Sequence, residues 1–164
     1  MSSASAPTLT VVVIFHDMQR EAERTLHSLS RAYQRNVPVL SYEVLAIDSG
    51  SSNRLSEASV ESFGPDFQHR VFDADVPSPC PALNWAVAQA RAPFVLVCID
   101  GARMLSPGIL SLCSEAMAMS SHPFVYTAGM HLGGGAQNDL LAGGYGTEAE
   151  DALLASIDWR AMIP

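Results

Sequence analysis

The chain has no lysine, so all 9 of its basic residues are arginine. That excludes Schiff-base and pyridoxal-type lysine chemistry, and it excludes a phosphate loop built on a lysine. Positive charge is scarce altogether: 17 acidic side chains leave a formal net charge of −8 over 164 residues. Such a surface does not suit nucleic acid, whose phosphates call for clustered basic side chains, nor does it suit anionic lipid. Cysteine is sparse too. Cys80, Cys98 and Cys113 are odd in number and form no CxxC pair. They support neither a disulfide framework nor a structural zinc, and they point to a reducing, cytoplasmic setting. Long apolar runs are missing. Val11–Phe15 and Phe94–Ile99 fall far short of the ~20 residues of a membrane helix, so no membrane-spanning segment is expected. The first residues carry neither a basic stretch nor an apolar stretch, so residues 1–9 read as a flexible tail without a targeting signal.

What is present suits one globular domain over residues 10–164. At 48% hydrophobic and 16% charged, the chain can bury a core. Thr10–Phe15 and Tyr42–Ile47 are β-branched runs without alternation, as in strands buried on both faces of a parallel sheet. Phe94–Ile99 is a third such run, Arg70–Phe72 a shorter one, and Phe124–Thr127 a further strand candidate. Met18, Ala22, Leu26, Leu29 and Tyr33 form one apolar helical stripe, with Asp17 as its cap. Further helices are expected over Leu55–Phe63, over Ala82–Arg91 and from Ser106-Pro107 to about Ser120. Residues 75–81 hold three prolines and read as a loop, and Trp85 is expected to pack. Gly129–Gly146 holds seven glycines and reads as a loop, after which Thr147-Glu-Ala-Glu150 forms a capping box opening a last helix. This alternation predicts a three-layer α/β/α fold with a mostly parallel central sheet.

In such folds ligands sit at the carboxyl ends of the strands. Asp48 and Asp100 end two of the strands, and Asp17 follows a third by two residues. Three carboxylates on one rim can hold a divalent cation, hydrogen-bond a ligand, or cap the turns that follow. The small-residue turn Asp48-Ser49-Gly50-Ser51 can approach a base or a phosphate closely.

Several stretches in order resemble the family 2 glycosyltransferases, whose fold is the GT-A type, and bacterial members in particular. VVVIFHDMQREAERTLHSL (Val11–Leu29) is similar to the family's opening strand and helix, with His16-Asp17 at its Tyr-Asn and Thr25–Leu29 at its Thr-Leu-x-Ser-Leu. YEVLAIDSGS resembles the strand ending in Asp-Asp-Gly-Ser, keeping Asp48 and replacing the second Asp by Ser49. PALNWAVAQA resembles the Ala-Arg-Asn-x-Gly helix through Asn84, and FVLVCIDGARMLSPGIL the strand ending in Asp-x-Asp.

The resemblance covers residues 10 to about 112 and makes them the nucleotide-sugar half, with 113–164 as part of the acceptor half. It implies a UDP- or GDP-sugar donor, an acceptor it does not identify, and transfer with inversion. It places His16 on the base, flanked by Phe15 and Asp17. Asp48 and Ser49 also belong to the base site, Asn84 lines the donor, and Asp100 sits beside the ribose and a Mg or Mn ion. The second Asp of the Asp-x-Asp motif is Ala102 here, which puts that metal in doubt. Arg103 either supplies the missing positive charge or is a solvated side chain. His131 either reaches the metal or pyrophosphate from the glycine-rich stretch or is solvated. Glu150-Asp151 stands where the family places its catalytic base, with Asp151 favoured because Glu150 suits the capping box. The alternative function is a sugar-nucleotide-binding or regulatory domain that has lost turnover. The apolar end at Trp159, Met162 and Ile163 suggests a shortened or divergent member, or an interface such as a homodimer's.

Overall fold

A computed structural model describes residues 6–37, 39–73 and 78–160. Part of the proline-rich stretch, most of the N-terminal tail, and Met162 with Ile163 therefore lie outside the described residues.

Four strands form one parallel sheet: β1 (Leu9–Phe15), β2 (Tyr42–Ser49), β3 (Phe67–Phe72) and β4 (Phe94–Cys98), in the order β3-β2-β1-β4. β1 is central. It pairs Phe15 with Asp48 on one side and Val13 with Cys98 on the other. Its seven residues and all eight of β2 are buried, which explains why neither shows a polar-apolar alternation. The alternation appears instead in what each residue touches. Val11, Val13 and Phe15 pack with Ala22, Leu26 and Leu29 of α1 (Gln19–Leu29) and Val60 of α2 (Glu57–Glu61). Val12 and Ile14 face the other way, onto Ala82 and Ala86 of α3 (Cys80–Gln89). Trp85 packs there against Phe72, ring centres 5.6 Å apart. Leu110 of α4 (Ile109–Met117) joins the α1 face. The result is the three-layer α/β/α arrangement expected from the sequence.

The layers follow from the topology. The chain moves outward from β1 through β2 to β3, then returns across β1 to β4. Right-handed crossovers in opposite directions place α1 and α2 on one face and α3 on the other. β1 and β4 thus flank a topological switch point, where open α/β sheets form a crevice at their carboxyl edge.

Several local expectations are corrected. Phe124–Thr127 joins no strand, and Phe124 is 90% exposed. Its β-forming composition needs a pleated surface to pack on, and none is offered. Asp17 does not cap α1. It lies at φ 51°, which turns its carboxylate onto the 51–53 turn, and Met18 takes the cap position without a side-chain bond. α4 begins after Gly108, at φ 92°, two residues later than Ser106-Pro107 suggested. The glycine-rich stretch contains a short helix, α5 (Gln137–Leu140), and a 3-10 turn (Leu141–Gly143). The capping box does not form. Gly146 precedes α6 (Thr147–Ala155) with no side-chain cap, because Glu150 is drawn to two arginines.

Candidate functional site at the carboxyl edge of the sheet

The residues following β1, β2 and β4 meet at one edge. His16 leaves β1 and donates from Nδ1 to the Ser49 carbonyl at 2.7 Å, which fixes its tautomer. Its ring is 66% exposed, with Nε2 3.9 Å from Asp17 Oδ2. A planar ring is thus presented at the rim and locked by backbone from the neighbouring strand.

The aspartates of this edge do different work. Asp48 is 1% exposed; its Oδ1 accepts from Ser51 N at 3.3 Å and its Oδ2 from Leu55 N at 2.9 Å. It closes the turn after β2. Asp17 Oδ1 accepts from Ser52 N, Ser52 Oγ and Asn53 N at 2.8, 2.9 and 3.2 Å. The bonds from Asn53 and Ser52 hold its pKa below the usual carboxylate value. In return, Ser51 Oγ accepts from Asp17 N at 2.9 Å. The sequence marked Ser51 as part of the Asp48-Ser49-Gly50-Ser51 turn but not Ser52, although the Asp-Ser-Gly-Ser-Ser run contained the signal: short hydroxyl side chains after a strand-end aspartate.

Asp100 is the outward carboxylate. Its Oδ1 accepts from Ala102 N at 3.0 Å, and its Oδ2 lies 3.4 Å from Arg103 Nε. Arg103 also approaches the glycine-rich stretch, since a side chain at Gly129 would meet Arg103 Nη1 at 3.2 Å. Phe15, expected among the ligand contacts, is fully buried. Its ring supports Gly101 from below and is not open to a ligand. Ser49 is also buried, which leaves its carbonyl to His16 as its part in the site. Asn84 is exposed on α3. His131 is exposed, and its Nδ1 accepts from Gln137 N at 3.4 Å.

Asp100 offers one carboxylate, already beside a guanidinium, and no three His, Cys, Asp or Glu side chains converge among the described residues. The pair expected to hold the base stands at the start of α6. Asp151 accepts from Arg20 Nη2 at 2.8 Å and from Arg24, and Glu150 accepts from Arg20 at 2.9 Å. The Arg20 hydrogen bond is the chief reason the Asp151 pKa falls below the usual carboxylate value. These two arginines were also missed from the sequence; their spacing of four on the polar side of α1 was the available sign.

No family model matches this sequence, and no curated protein sequence does either. The fold does have solved relatives. It is similar to TarS of S. aureus, a family 2 glycosyltransferase, in a crystal structure of its residues 1–349. The TM-score is 0.56 at 22% identity, over 68% of this chain and 32% of that one. A second TarS structure aligns with the same score and identity and is covered over 20% of its length. The chain therefore spans a third or less of the length of these two TarS chains. That likeness is one of fold: an α/β domain of GT-A type. No helix among the described residues is long and apolar enough to cross a membrane.

Proposed function

We propose that this chain is the donor-binding part of a glycosyltransferase that uses a UDP- or GDP-sugar and transfers with inversion. The observation that carries this reading is the switch-point edge. There an exposed, backbone-locked ring (His16) faces the rim, and an outward carboxylate (Asp100) shares a turn with a guanidinium (Arg103). Each suits one part of a nucleoside diphosphate sugar. His16 offers a flat surface to the base, Asp100 accepts from ribose hydroxyls, and Arg103 faces the diphosphate. Asp17 and Asp48 shape the turn beneath the base by holding its N–H groups.

In the reaction, the acceptor hydroxyl oxygen attacks the anomeric carbon as the bond to the diphosphate oxygen breaks. Charge grows on the leaving diphosphate, where Arg103 neutralises it. The hydroxyl proton passes to a carboxylate, for which Asp151 is the candidate.

A second reading, sugar-nucleotide binding without turnover, is favoured by Ala102 at the second Asp-x-Asp position and by the arginines on Asp151. Thermal shift with a panel of nucleotides and sugar nucleotides, followed by a donor hydrolysis assay, separates the readings. Stabilisation with nucleotide release supports transfer. Stabilisation without release selects the binding domain, and no stabilisation by any compound overturns both.

A further inference from the structure

α1 carries two arginines one turn apart, both paired with the same two carboxylates, and Arg20 is paired with Glu21 as well. Arg20 Nη2 donates to Glu150 Oε2 at 2.9 Å, to Asp151 Oδ1 at 2.8 Å and to the Thr147 carbonyl at 3.1 Å. Arg24 Nη1 lies 3.1 Å from Glu150 Oε2, and Arg24 Nη2 pairs with Asp151. Paired guanidiniums around adjacent oxyanions are the geometry by which arginine takes a phosphate.

Three further observations bear on this clamp. The Arg24 side chain is only 12% exposed, so its charge requires an anion beside it. A cleft of about 390 Å³ opens there, and its lining includes Arg20, Glu23, Arg24, Asp151, Trp159 and Arg160. The helix that brings the carboxylates is lightly held: only Leu154 of α6 is buried, and the stretch before it carries seven glycines between 129 and 146. Other charges share the site: Glu21 touches the clamp itself, and Glu23 and Arg160 line the same cleft. Glu21 accepts from Arg20 Nη1 at 2.6 Å, and Glu23 pairs with Arg160 at 2.6 Å.

We propose that Arg20 and Arg24 form a binding site for a phosphate-class dianion, which Glu150 and Asp151 occupy in cis. α6 is then an internal competitor, and an arriving phosphate takes the place of its two carboxylates. Nothing in the clamp requires a sugar nucleotide. Resting additionally on the glycosyl-transfer reading, displacement would release Asp151 for the acceptor, so that the anion would switch on the base.

Trp159 lines the cleft, and Trp85→Phe leaves it as the single tryptophan, so its fluorescence reports the site. Inorganic phosphate is titrated into this protein, with glucose 1-phosphate as a second arm. Binding of the ester shows that the site takes a phosphate carried on a larger molecule; binding of inorganic phosphate alone marks a free-anion site. In both cases Glu150→Gln with Asp151→Asn is expected to tighten binding about tenfold, by removing the competitor. Arg24→Gln is expected to abolish it, and Arg103→Gln to leave it unchanged, which distinguishes this site from the donor crevice. Circular dichroism checks that each variant is folded. Absence of saturable binding, binding that survives Arg24→Gln, or weaker binding in the carboxylate variant overturns the proposal.

Discussion

The ring of Phe15 occupies the space a side chain at residue 101 would need. A Cβ there would lie 2.6 Å from Phe15 Cε1 and 2.9 Å from the Ile14 carbonyl oxygen. Thr25 Oγ1 donates to the Gly101 carbonyl, so the turn after β4 is pinned to both β1 and α1. Gly101→Ala is therefore expected to destabilise the fold by about 1–3 kcal/mol, measured by urea unfolding. Shortening Phe15 to Leu in the same chain should recover only part of the loss, because the Ile14 carbonyl cannot withdraw.

Asp48 is held for its charge and its acceptors. Asp48→Asn puts an amide where two N–H groups converge and is expected to cost about 1–3 kcal/mol. If base contact were its main role, the variant would bind nucleotide poorly yet melt like the parent. Thermal melts of both proteins without ligand decide between these outcomes.

At the opposite end of the sheet, Glu43 is buried beneath Arg91, with Nε to Oε2 at 2.7 Å and Thr10 Oγ1 donating to Oε1 at 2.7 Å. Burial works against its charge, but the bonds from Arg91 and Thr10 outweigh it and lower the pKa. The sign follows: the folded carboxylate binds its proton less readily than the unfolded one. The stabilisation is complete above the ordinary value of 4.5 and is lost as pH falls through the lower folded value. Unfolding measured across the acid range should show this loss in the parent, and Glu43→Gln should flatten it.

For the donor crevice, removing divalent ions with EDTA is expected to leave sugar-nucleotide affinity unchanged. Arg103→Gln should weaken it about tenfold, the loss of one charge-assisted contact. Calorimetric titration with and without Mg²⁺ measures both. A strict Mn²⁺ or Mg²⁺ requirement would show that Arg103 does not carry the diphosphate charge.

The sheet was legible because burial on both faces leaves a plain trace: Val11–Phe15 and Tyr42–Ile47 can only be central strands. The edge that carries Asp17, Asp48 and Asp100 was legible for the same reason, since parallel strands end together. What each aspartate does there was not. Asp17 and Asp48 spend their oxygens on backbone N–H groups several residues away, and that depends on a positive φ and a turn path that spacing does not encode. Phe124–Thr127 misled because its composition describes a strand while its surroundings supply no neighbour. The clamp was hidden because Arg20 and Glu150 are 130 residues apart, and charge pairing over that distance leaves no local pattern.

The return of the chain to β4 also has a consequence in time. β1, β2 and β3 are joined by successive neighbouring crossovers, whereas pairing Leu9 with Phe94 closes a loop across most of the folded sheet. Closing that longer loop costs more chain entropy than either neighbouring crossover, so β4 gains least by pairing before the other three strands are in place. Gly101, Asp100 and Arg103 arrive with that last strand. A nascent chain can thus own most of its core while still lacking half of the crevice, and any ligand that grips both His16 and Arg103 selects the finished protein.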